Sequence, residues 1–524
     1  MTTAIEHLEK QFHRITQLDH ASTFLSWDQM VMMPNAGNSP RATAMAELAS
    51  MRHELLTSSA MGDWVAEAEE AVNAGDITGG NATPEKLRGV GQSSQKNELF
   101  ARQHLFEMKR SWQQAMALPA DLVHAQVLAG SQCEHGWRTQ RGDNDWSGFL
   151  VNFREVVSLS RQEAQCRQAQ APERFATPYD AMLDLHCTGD NQALISTIFA
   201  ELKQLLPQLL GQVMEKQSSR SVKDLSGQYP VVQQQRLSEA LMRMLGFDFN
   251  AGRLDVSMHP FSTGVQGDQR ITTRYRETDF ADALQATAHE TGHASYEAGL
   301  PVEWQSYPVG RSRNMCIHES QSLMFEKQLF LSRAFAKALI KPLHEHLPAT
   351  QAFDSDDIWY AQTRVKPSFI RVEADEVTYP LHVMLRYDIE SALINGDMQP
   401  EAIPDVWEAA LNEYLGLATN GDHAKGCLQD IHWTDGAFGY FPSYTMGAVN
   451  AAQLSAAMKR QHSDWQEQLS NGEIGFAREW LHEHIWQHGR TLESQSLMQG
   501  ATGEGSSAKH LIAHLRTRYL DELD

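Results

Sequence analysis

The clearest chemistry in the chain lies in the segment His289-Glu290-Thr-Gly-His293. On an α-helix, positions four apart share a face, so His289 and His293 can present two imidazoles to one metal ion. Glu290 lies about 100° further round the helix, where its carboxylate can take a proton from water. Zinc lowers the pKa of a bound water to roughly 7. The spacing therefore predicts a zinc hydrolase with Glu290 as general base, against the alternative of two polar histidines on a solvated face.

A catalytic zinc takes three protein ligands and keeps one open position. No histidine follows His293 at the H-x-x-G-x-x-H spacing, which excludes a metzincin site. The next candidate ligand is Glu319 in His318-Glu-Ser320, and Glu326, two helical turns further on, is the second candidate. An ordinary surface carboxylate is the alternative for Glu319. We expect one metal ion per chain, zinc, with cobalt as the alternative.

The metal motif must be carried by a helix. Asp279 is a good N-cap and Gly299 followed by Pro301 ends the pattern, which predicts a helix over Phe280–Ala298. Gly292 inside that helix costs about 1 kcal/mol relative to alanine. Its presence predicts that another element approaches the helix closely at this point.

A short region before the metal helix departs from helical texture. Leu254–Met258 and Arg270–Tyr275 alternate and are rich in β-branched residues, with Gly264 and Gly267 between them. This pattern predicts a small hairpin or sheet.

The rest of the chain is typical of a mainly α protein, a large helical body with one small β-sheet next to the metal helix. Apolar residues three and four apart predict helices, and clusters of small and turn-forming residues predict loops. The predicted helices include Ile5–Leu18, Leu194–Met214, Leu323–Leu339 and a final one near Ala508–Leu523; the predicted loops are Asn73–Pro84 and Gln499–Ser507.

Composition excludes several classes of function. The 524 residues include 44 basic and 66 acidic side chains, a formal net charge of −22, which argues against nucleic acid as the main partner. No run of about 18 apolar residues occurs, so we expect no membrane span or membrane partner. The first residues have no apolar core and do not resemble a signal peptide. Five scattered cysteines without a C-x-x-C pair are typical of reduced thiols in a cytoplasmic protein.

Several separated motifs together resemble the carboxypeptidase Taq family of zinc metallocarboxypeptidases, distant relatives of neurolysin-type and angiotensin-converting peptidases. The motifs occur in the family's order and span nearly the whole chain. They are Trp27-Asp-Gln29, His259-Pro-Phe261, Asp268-Gln-Arg-Ile-Thr272, His289-Glu-Thr-Gly-His293, His318-Glu-Ser320, Ile370-Arg-Val-Glu-Ala-Asp375, Gly426-Cys-Leu-Gln-Asp-Ile-His-Trp433 and Ala501-Thr-Gly-Glu504.

The resemblance implies a single zincin-like, neurolysin-like peptidase domain over residues 1–524 with a deep groove. Residues 1–250 would form the groove wall and lid, and residues 251–524 would hold the zinc. It also implies a homodimer that releases C-terminal residues from peptides with broad side-chain tolerance. By matched motif, His289, His293 and Glu319 become the zinc ligands and Glu290 the base.

A carboxypeptidase must recognise a free α-carboxylate, and the planar fork of a guanidinium suits both of its oxygens. Arg371 and Arg270 lie in matched motifs, and we favour Arg371 as the anchor. Arg270 would hold the substrate backbone or orient a neighbour. For each, the alternative is an internal salt bridge, to Asp375 and Asp268 respectively.

Peptide hydrolysis develops negative charge on the carbonyl oxygen, so hydrogen-bond donors beside the metal assist it. His432, Tyr440 and Tyr444 are candidates, although a core residue with a satisfied polar group is the alternative for each. Asp430 would orient His432 or a zinc histidine.

Three functions are compatible with these residues. The leading one is a zinc metallocarboxypeptidase that acts on peptides with a free C-terminus. A zinc oligopeptidase that cuts internal bonds is the first alternative, and a non-catalytic zinc-containing peptide-binding scaffold is the second. An intact Glu290 argues against the scaffold, since a purely structural zinc site needs no general base.

Overall fold

The computed structural model describes residues 3–75 and 94–523, and most of these residues are helical. The first helix begins with a capping box in which Thr3 and Glu6 satisfy each other's backbone N–H groups. In chain order the helices are α1 Ala4–Val31, α2 Asn38–Leu56, α3 Ser59–Asn73, α4 Ser94–Met116, α5 Ala120–Gln140, α6 Trp146–Gln170, α7 Pro178–His186, α8 Gln192–Ser218, α9 Val231–Met244, α10 Ala281–Gly299, α11 Met315–Leu323, α12 Arg333–His346, α13 Ser355–Gln362, α14 Tyr379–Asn395, α15 Ile403–Leu415, α16 Pro442–Gln461, α17 Trp465–Ser470, α18 Gly475–His484, α19 Ser494–Thr502 and α20 Ala508–Arg516.

A three-stranded sheet precedes the metal helix, as predicted. Its strands are β1 Gly252–Val256, β2 Phe261–Val265 and β3 Asp268–Thr273, in the spatial order β1-β3-β2. The tight turn at Gly267, with φ +83°, joins β2 to β3 as an antiparallel hairpin, and β1 pairs with β3 in parallel. The two segments recognised in the sequence are therefore parallel neighbours. The sequence did not predict β2, the hairpin partner of β3, because Gly264 interrupts its alternation of apolar and polar residues.

Three apolar clusters form most of the core. One joins the N-terminal helices between Leu8 and Met108, and two larger ones draw on residues after Leu122. Helix α11 contributes Cys316 to one of the larger clusters and Ile317 to the other, so it is held from both sides. The helix that carries Glu319 is therefore fixed by tertiary packing. Both larger clusters contain residues from before and after residue 250. The division of the chain into halves at that residue stays a prediction.

Two predicted boundaries differ from the structure. The helix predicted over Leu323–Leu339 is broken: a π-helix occupies Met324–Phe330, and Ser332 caps a separate α12. Apolar spacing does not report the extra residue of a π turn, so this break was invisible in the sequence. The loop predicted from Gln499 begins only after α19 ends at Thr502.

Other predictions are confirmed where the structure describes them. The segments Ile5–Leu18 and Leu194–Met214 lie in α1 and α8, and α10 ends at Gly299. The final helix continues from α20 into a π turn over Thr517–Asp521. All five cysteines are free, and four of them are buried. Most of the loop predicted over Asn73–Pro84 lies outside the described residues. Among the described residues, no helix combines the length and apolarity needed to cross a membrane.

Candidate metal centre

The candidate metal centre forms where α10 and α11 touch. A Cβ built on Gly292 would lie only 2.5 Å from the carbonyl oxygen of Gln321 and 2.7 Å from the Cα of Ser322. The close approach predicted at Gly292 is therefore confirmed, and its partner is the backbone of α11. A second glycine, Gly447 of α16, leaves the same kind of room for the Glu319 side chain, since a Cβ there would lie 2.6 Å from Glu319 Cβ. Both contacts require the smallest residue.

Three side chains converge at this contact. One potential ligand atom from each of His289, His293 and Glu319 lies within 4.8 Å of the others. The Nε2 atoms of the two histidines lie 3.8 Å and 3.5 Å from the two carboxylate oxygens of Glu319. Zinc ligands about 2.0–2.1 Å from a tetrahedral ion lie roughly 3.3 Å from one another. The donor set and its spacing therefore fit a zinc ion.

His289 is oriented by a carboxylate. Its Nδ1 lies 2.7 Å from Glu326 Oε2, which leaves Nε2 facing Glu319. Gln285 donates to Glu326 Oε1 over 2.7 Å, and the Lys327 ammonium lies 2.6 Å from the same oxygen. Such a carboxylate fixes the tautomer of a metal-binding histidine and raises its basicity. Between the two carboxylates considered as third ligand, Glu319 lies in the cluster and Glu326 lies behind His289.

His293 is oriented by a second histidine. Its Nδ1 lies 2.6 Å from Nδ1 of His318, and Nε2 of His318 lies 2.8 Å from Glu297 Oε1. A proton on His293 Nδ1 and another on His318 Nε2 satisfy both contacts. With that arrangement, the lone pair of His293 Nε2 faces Glu319 and is free for a cation.

Glu290 lies beside the cluster and is 8% exposed. Burial raises the pKa of Glu290 to about 7, and the carboxylates of Glu319 and Glu326 add to this effect while His289 opposes it. A carboxylate with a pKa near neutrality is suited to accept and return a proton.

A cavity of about 170 Å³ adjoins the cluster. His289 and Glu319 lie on one side of it, and the phenol rings of Tyr379 and Tyr444 lie on its lining as well. The cavity therefore places two tyrosines beside the candidate metal ligands. The remaining lining includes Gln285, Glu326, Lys327, Gln328, Val372 and Glu376.

Arg371 lies just behind this cavity and is 5% exposed. Its Nε and Nη2 donate to Asp430 Oδ1 over 3.0 and 2.9 Å, and its Nη1 donates to the Tyr379 hydroxyl over 2.7 Å. Asp430 also accepts a 2.6 Å hydrogen bond from Arg386. The ion-pair partner of Arg371 is thus Asp430 and not Asp375. The role considered for Asp430, orienting a histidine, is replaced by bridging two arginines.

His432, Tyr440 and Tyr444 come together. The Tyr444 hydroxyl lies 3.5 Å from His432 Nε2, and the rings of Tyr440 and Tyr444 are 5.4 Å apart. Burial and the charge of Arg371 lower the pKa of His432 to about 4, so its imidazole is neutral at pH 7. Burial raises the pKa of both tyrosines, so their hydroxyls keep the protons that a donor needs.

Arg270 lies in β3 and faces the first helix. Its guanidinium forms a two-point ion pair with Asp268, with contacts of 2.6 and 2.8 Å. It also lies over the rings of Trp27 and Phe24, 4.5 and 4.8 Å from their centroids. The internal salt bridge considered for Arg270 is confirmed. The contact of the same guanidinium with the Trp27 ring connects the Trp27 motif to the sheet.

Sequence reasoning missed three residues of the site. His318 and Glu297 support His293, and Tyr379 connects Arg371 to the cavity. His318 stood next to Glu319 in a recognised motif, which is a usable signal for a supporting residue. Tyr379 carried no comparable signal, because its position depends on how α14 starts next to Arg371.

Known proteins resemble this chain over nearly its whole length. The family model described as carboxypeptidase Taq (M32) metallopeptidase matches residues 7–519. Thermostable carboxypeptidase 1 of Thermus thermophilus is 33% identical over 515 residues, which is 97% of each chain. Carboxypeptidase 1 of Bacillus subtilis is 31% identical, with 98% of each chain covered. Among solved structures, metallocarboxypeptidase 1 of Trypanosoma cruzi superposes with a TM-score of 0.92 at 36% identity, covering 99% of each chain.

Proposed function

This chain belongs to the carboxypeptidase Taq (M32) family of metallopeptidases, and we propose that His289, His293 and Glu319 hold its metal ion, with zinc as the ion and Glu290 as the general base. The protein is a metallocarboxypeptidase. The observation that carries the assignment of residues is the convergence of two imidazole Nε2 atoms on the Glu319 carboxylate, beside the buried Glu290. One ion per chain is proposed, with cobalt as the alternative to zinc.

Zinc, when bound at such a site, supplies Lewis-acid chemistry and makes water nucleophilic near neutral pH. Glu290 would take the proton from the water that attacks the last peptide carbonyl. It would then deliver that proton to the departing amine nitrogen, so the base is regenerated in each cycle. Its burial beside His289 and Glu319 supports both transfers.

The tyrosines supply donors for the oxygen that becomes negative. Tyr444 lines the cavity with Glu319, and we assign it as the donor to the carbonyl oxygen. His432 Nε2 lies 3.5 Å from the Tyr444 hydroxyl, and the Tyr440 ring packs edge-on against the Tyr444 ring. Their proposed contribution is to keep the Tyr444 hydroxyl aimed at the cavity.

Arg371 is the proposed source of positive charge for the terminal carboxylate of the substrate. Its Nη1 donates to the hydroxyl of Tyr379, which lines the cavity, so we propose that Arg371 acts on the carboxylate through Tyr379. Arg270 is paired with Asp268 and covered by Trp27. Its proposed role is to hold β3 in place and so to position the substrate strand.

The substrates are peptides with a free C-terminus, and we also propose a cytoplasmic homodimer with each chain folded as one peptidase domain. Exposed apolar side chains on α5 and at the start of α6 support an interface: Val123, Val127, Leu128 and Val151 are 42 to 66% exposed. Sedimentation of Val127→Lys should give a monomer where the unaltered protein gives a dimer. A monomer in both cases contradicts the interface.

Replacement of Glu290 by alanine tests the proposed chemistry. Loss of a general base lowers the rate by about 10²–10⁴-fold, while the ligand set is unchanged and one metal ion per chain should remain. The matched control is Glu303→Ala, an exposed glutamate, which should keep full activity. Undiminished hydrolysis by Glu290→Ala means that another group is the base, and loss of the metal means that Glu290 belongs to the ligand set.

A further inference from the structure

A second cavity, of about 530 Å³, lies among α12, α16, α17 and α20. It is in the size range of sites for small metabolites. The lining is rich in cationic groups, although the whole chain carries a net charge of −22. These groups are Arg333, Lys337, Lys459 and Arg518. His510, His514 and the carboxylate of Glu522 also line the cavity, and burial lowers the pKa of His514.

Part of this positive charge is already neutralised. Arg333 pairs with Asp356 at 2.9 Å, and Arg518 lies 2.9 Å from Glu376. Lys459 and Lys337 form no such close ion pair within residues 3–75 and 94–523. Glu522 and Glu376 attract Lys459, and Asp356 attracts Lys337, only at longer range. The cavity therefore has two ammonium groups to offer to a ligand.

Of the two lysines, Lys459 gives the stronger evidence for a bound ligand. Its ammonium lies 4.3 Å from the centroid of the Trp465 ring, and burial lowers the pKa of Lys459 to about 8. The hydroxyl of Ser455, one turn earlier on α16, is buried on the same lining and has no hydrogen-bond partner among the described residues. A buried hydroxyl without a hydrogen-bond partner and a partly desolvated ammonium are costly in a folded protein unless something binds them.

We propose that this cavity binds a small anion through a phosphate or carboxylate group, with Lys459 and Lys337 as the charged contacts and Ser455 as a donor. Trp465 and the alanines of α16 and α20 provide apolar surface for the remainder of an organic anion. The ligand is bound apart from the peptide substrate, so the proposal does not depend on the assignment of the metal ligands.

The cavity is adjacent to the metal side of the protein. The buried Gln328 lines both this cavity and the one beside His289. Arg518 and His514 hold Glu376, which lines the metal-side cavity, and Arg518 also donates to the backbone carbonyl of Lys327. Arg518 of this cavity thus contacts Lys327, whose ammonium pairs with Glu326, the carboxylate that binds His289.

Calorimetric titration of the metal-loaded protein tests the proposal, with inorganic phosphate in one arm and succinate in the other. We expect one anion per chain, and at least a roughly tenfold weaker affinity in both Lys459→Met and Lys337→Met, since each loses a charged contact. Lys459→Arg should retain binding. Lys341→Met, an exposed lysine on α12 outside the cavity lining, is the matched control and should bind as the unaltered protein does.

The two arms also identify the ligand chemistry. Tighter binding of phosphate assigns a phosphate-bearing ligand, and tighter binding of succinate assigns a carboxylate. Lys337 is exposed, so its replacement leaves the fold intact even if Lys459→Met is unstable. The proposal is overturned if neither anion binds at about 10 mM, or if both lysine-to-methionine variants bind as tightly as the control.

Discussion

Replacement of Gly292 by alanine sets local helix preference against tertiary packing. In the interior of an isolated helix, this change stabilises by about 1 kcal/mol. In α10, however, the new methyl carbon would lie 2.5 Å from the carbonyl oxygen of Gln321, and that oxygen belongs to the backbone of α11. Ordinary contact begins at 3.4 Å, so the two helices must separate by roughly 0.9 Å. Overpacking of this kind costs about 1–3 kcal/mol.

The separation also acts on the proposed metal ligands. His289 and His293 lie on α10 and Glu319 lies on α11, so a shift between the helices changes the distances within the ligand set. Metal sites tolerate deviations of only about 0.2 Å. We therefore expect Gly292→Ala to lower the free energy of unfolding by up to about 2 kcal/mol and to weaken metal binding roughly tenfold or more.

The assay is urea unfolding of metal-free and metal-loaded protein, together with competition for the metal by a chelator. The matched control is Gly211→Ala in α8, where an added Cβ has nothing within 4 Å, and which should raise the free energy of unfolding by about 1 kcal/mol. If Gly292→Ala is as stable as Gly211→Ala and keeps its metal affinity, the reasoning from close helix contact is refuted.

Further predictions concern the residues behind the site. Glu326→Gln should weaken metal binding about 10–100-fold while retaining the fold, since it removes the carboxylate that holds His289; unchanged affinity in the chelator assay would contradict this. His318→Phe should do the same through His293, and an equal effect of Glu297→Gln would locate the loss in the His318 contact. Burial opposes ionisation of Asp430, but the guanidiniums of Arg386 and Arg371 hold its pKa well below the usual range. Its stabilisation is therefore present above about pH 4 and lost as the pH falls further. Asp430→Asn should cost about 3–5 kcal/mol at pH 7 and flatten the acid limb of a stability-against-pH curve; an unchanged limb would contradict the pairing.

The helices, including the one that carries His289 and His293, and the small sheet could be predicted because each depends on residue patterns within a short segment. The histidines four apart, the Asp279 carboxylate that accepts from the Ala281 N–H, and the glycine that ends α10 each act within a few residues. The N-cap residue itself is Phe280, one position after the predicted Asp279. Gly292 is the informative exception. Its type conflicts with helix preference, and that conflict predicted a distant contact without identifying the partner.

The contacts that hold the site residues in place could not be predicted from the sequence, because they join residues far apart in the chain. The salt bridge considered as the alternative role of Arg371 was to Asp375, four residues away. Asp375 instead accepts hydrogen bonds from the backbone N–H groups of Lys366, Val377 and Thr378. The guanidinium is therefore left to Asp430, 59 residues further on. Similarly, Glu326 reaches His289 because a π turn, which apolar spacing does not reveal, precedes α12.

The central claim is that metal-dependent hydrolysis removes residues from a free C-terminus. The most direct measurement is a mass-spectrometric time course on one peptide, prepared with a free carboxylate and with a C-terminal amide, in the presence and absence of a chelator. We predict that the free peptide shortens one residue at a time from its C-terminus, that the amide is spared, and that the chelator stops the reaction. Equal cleavage of both peptides at internal bonds would contradict the account and identify an oligopeptidase.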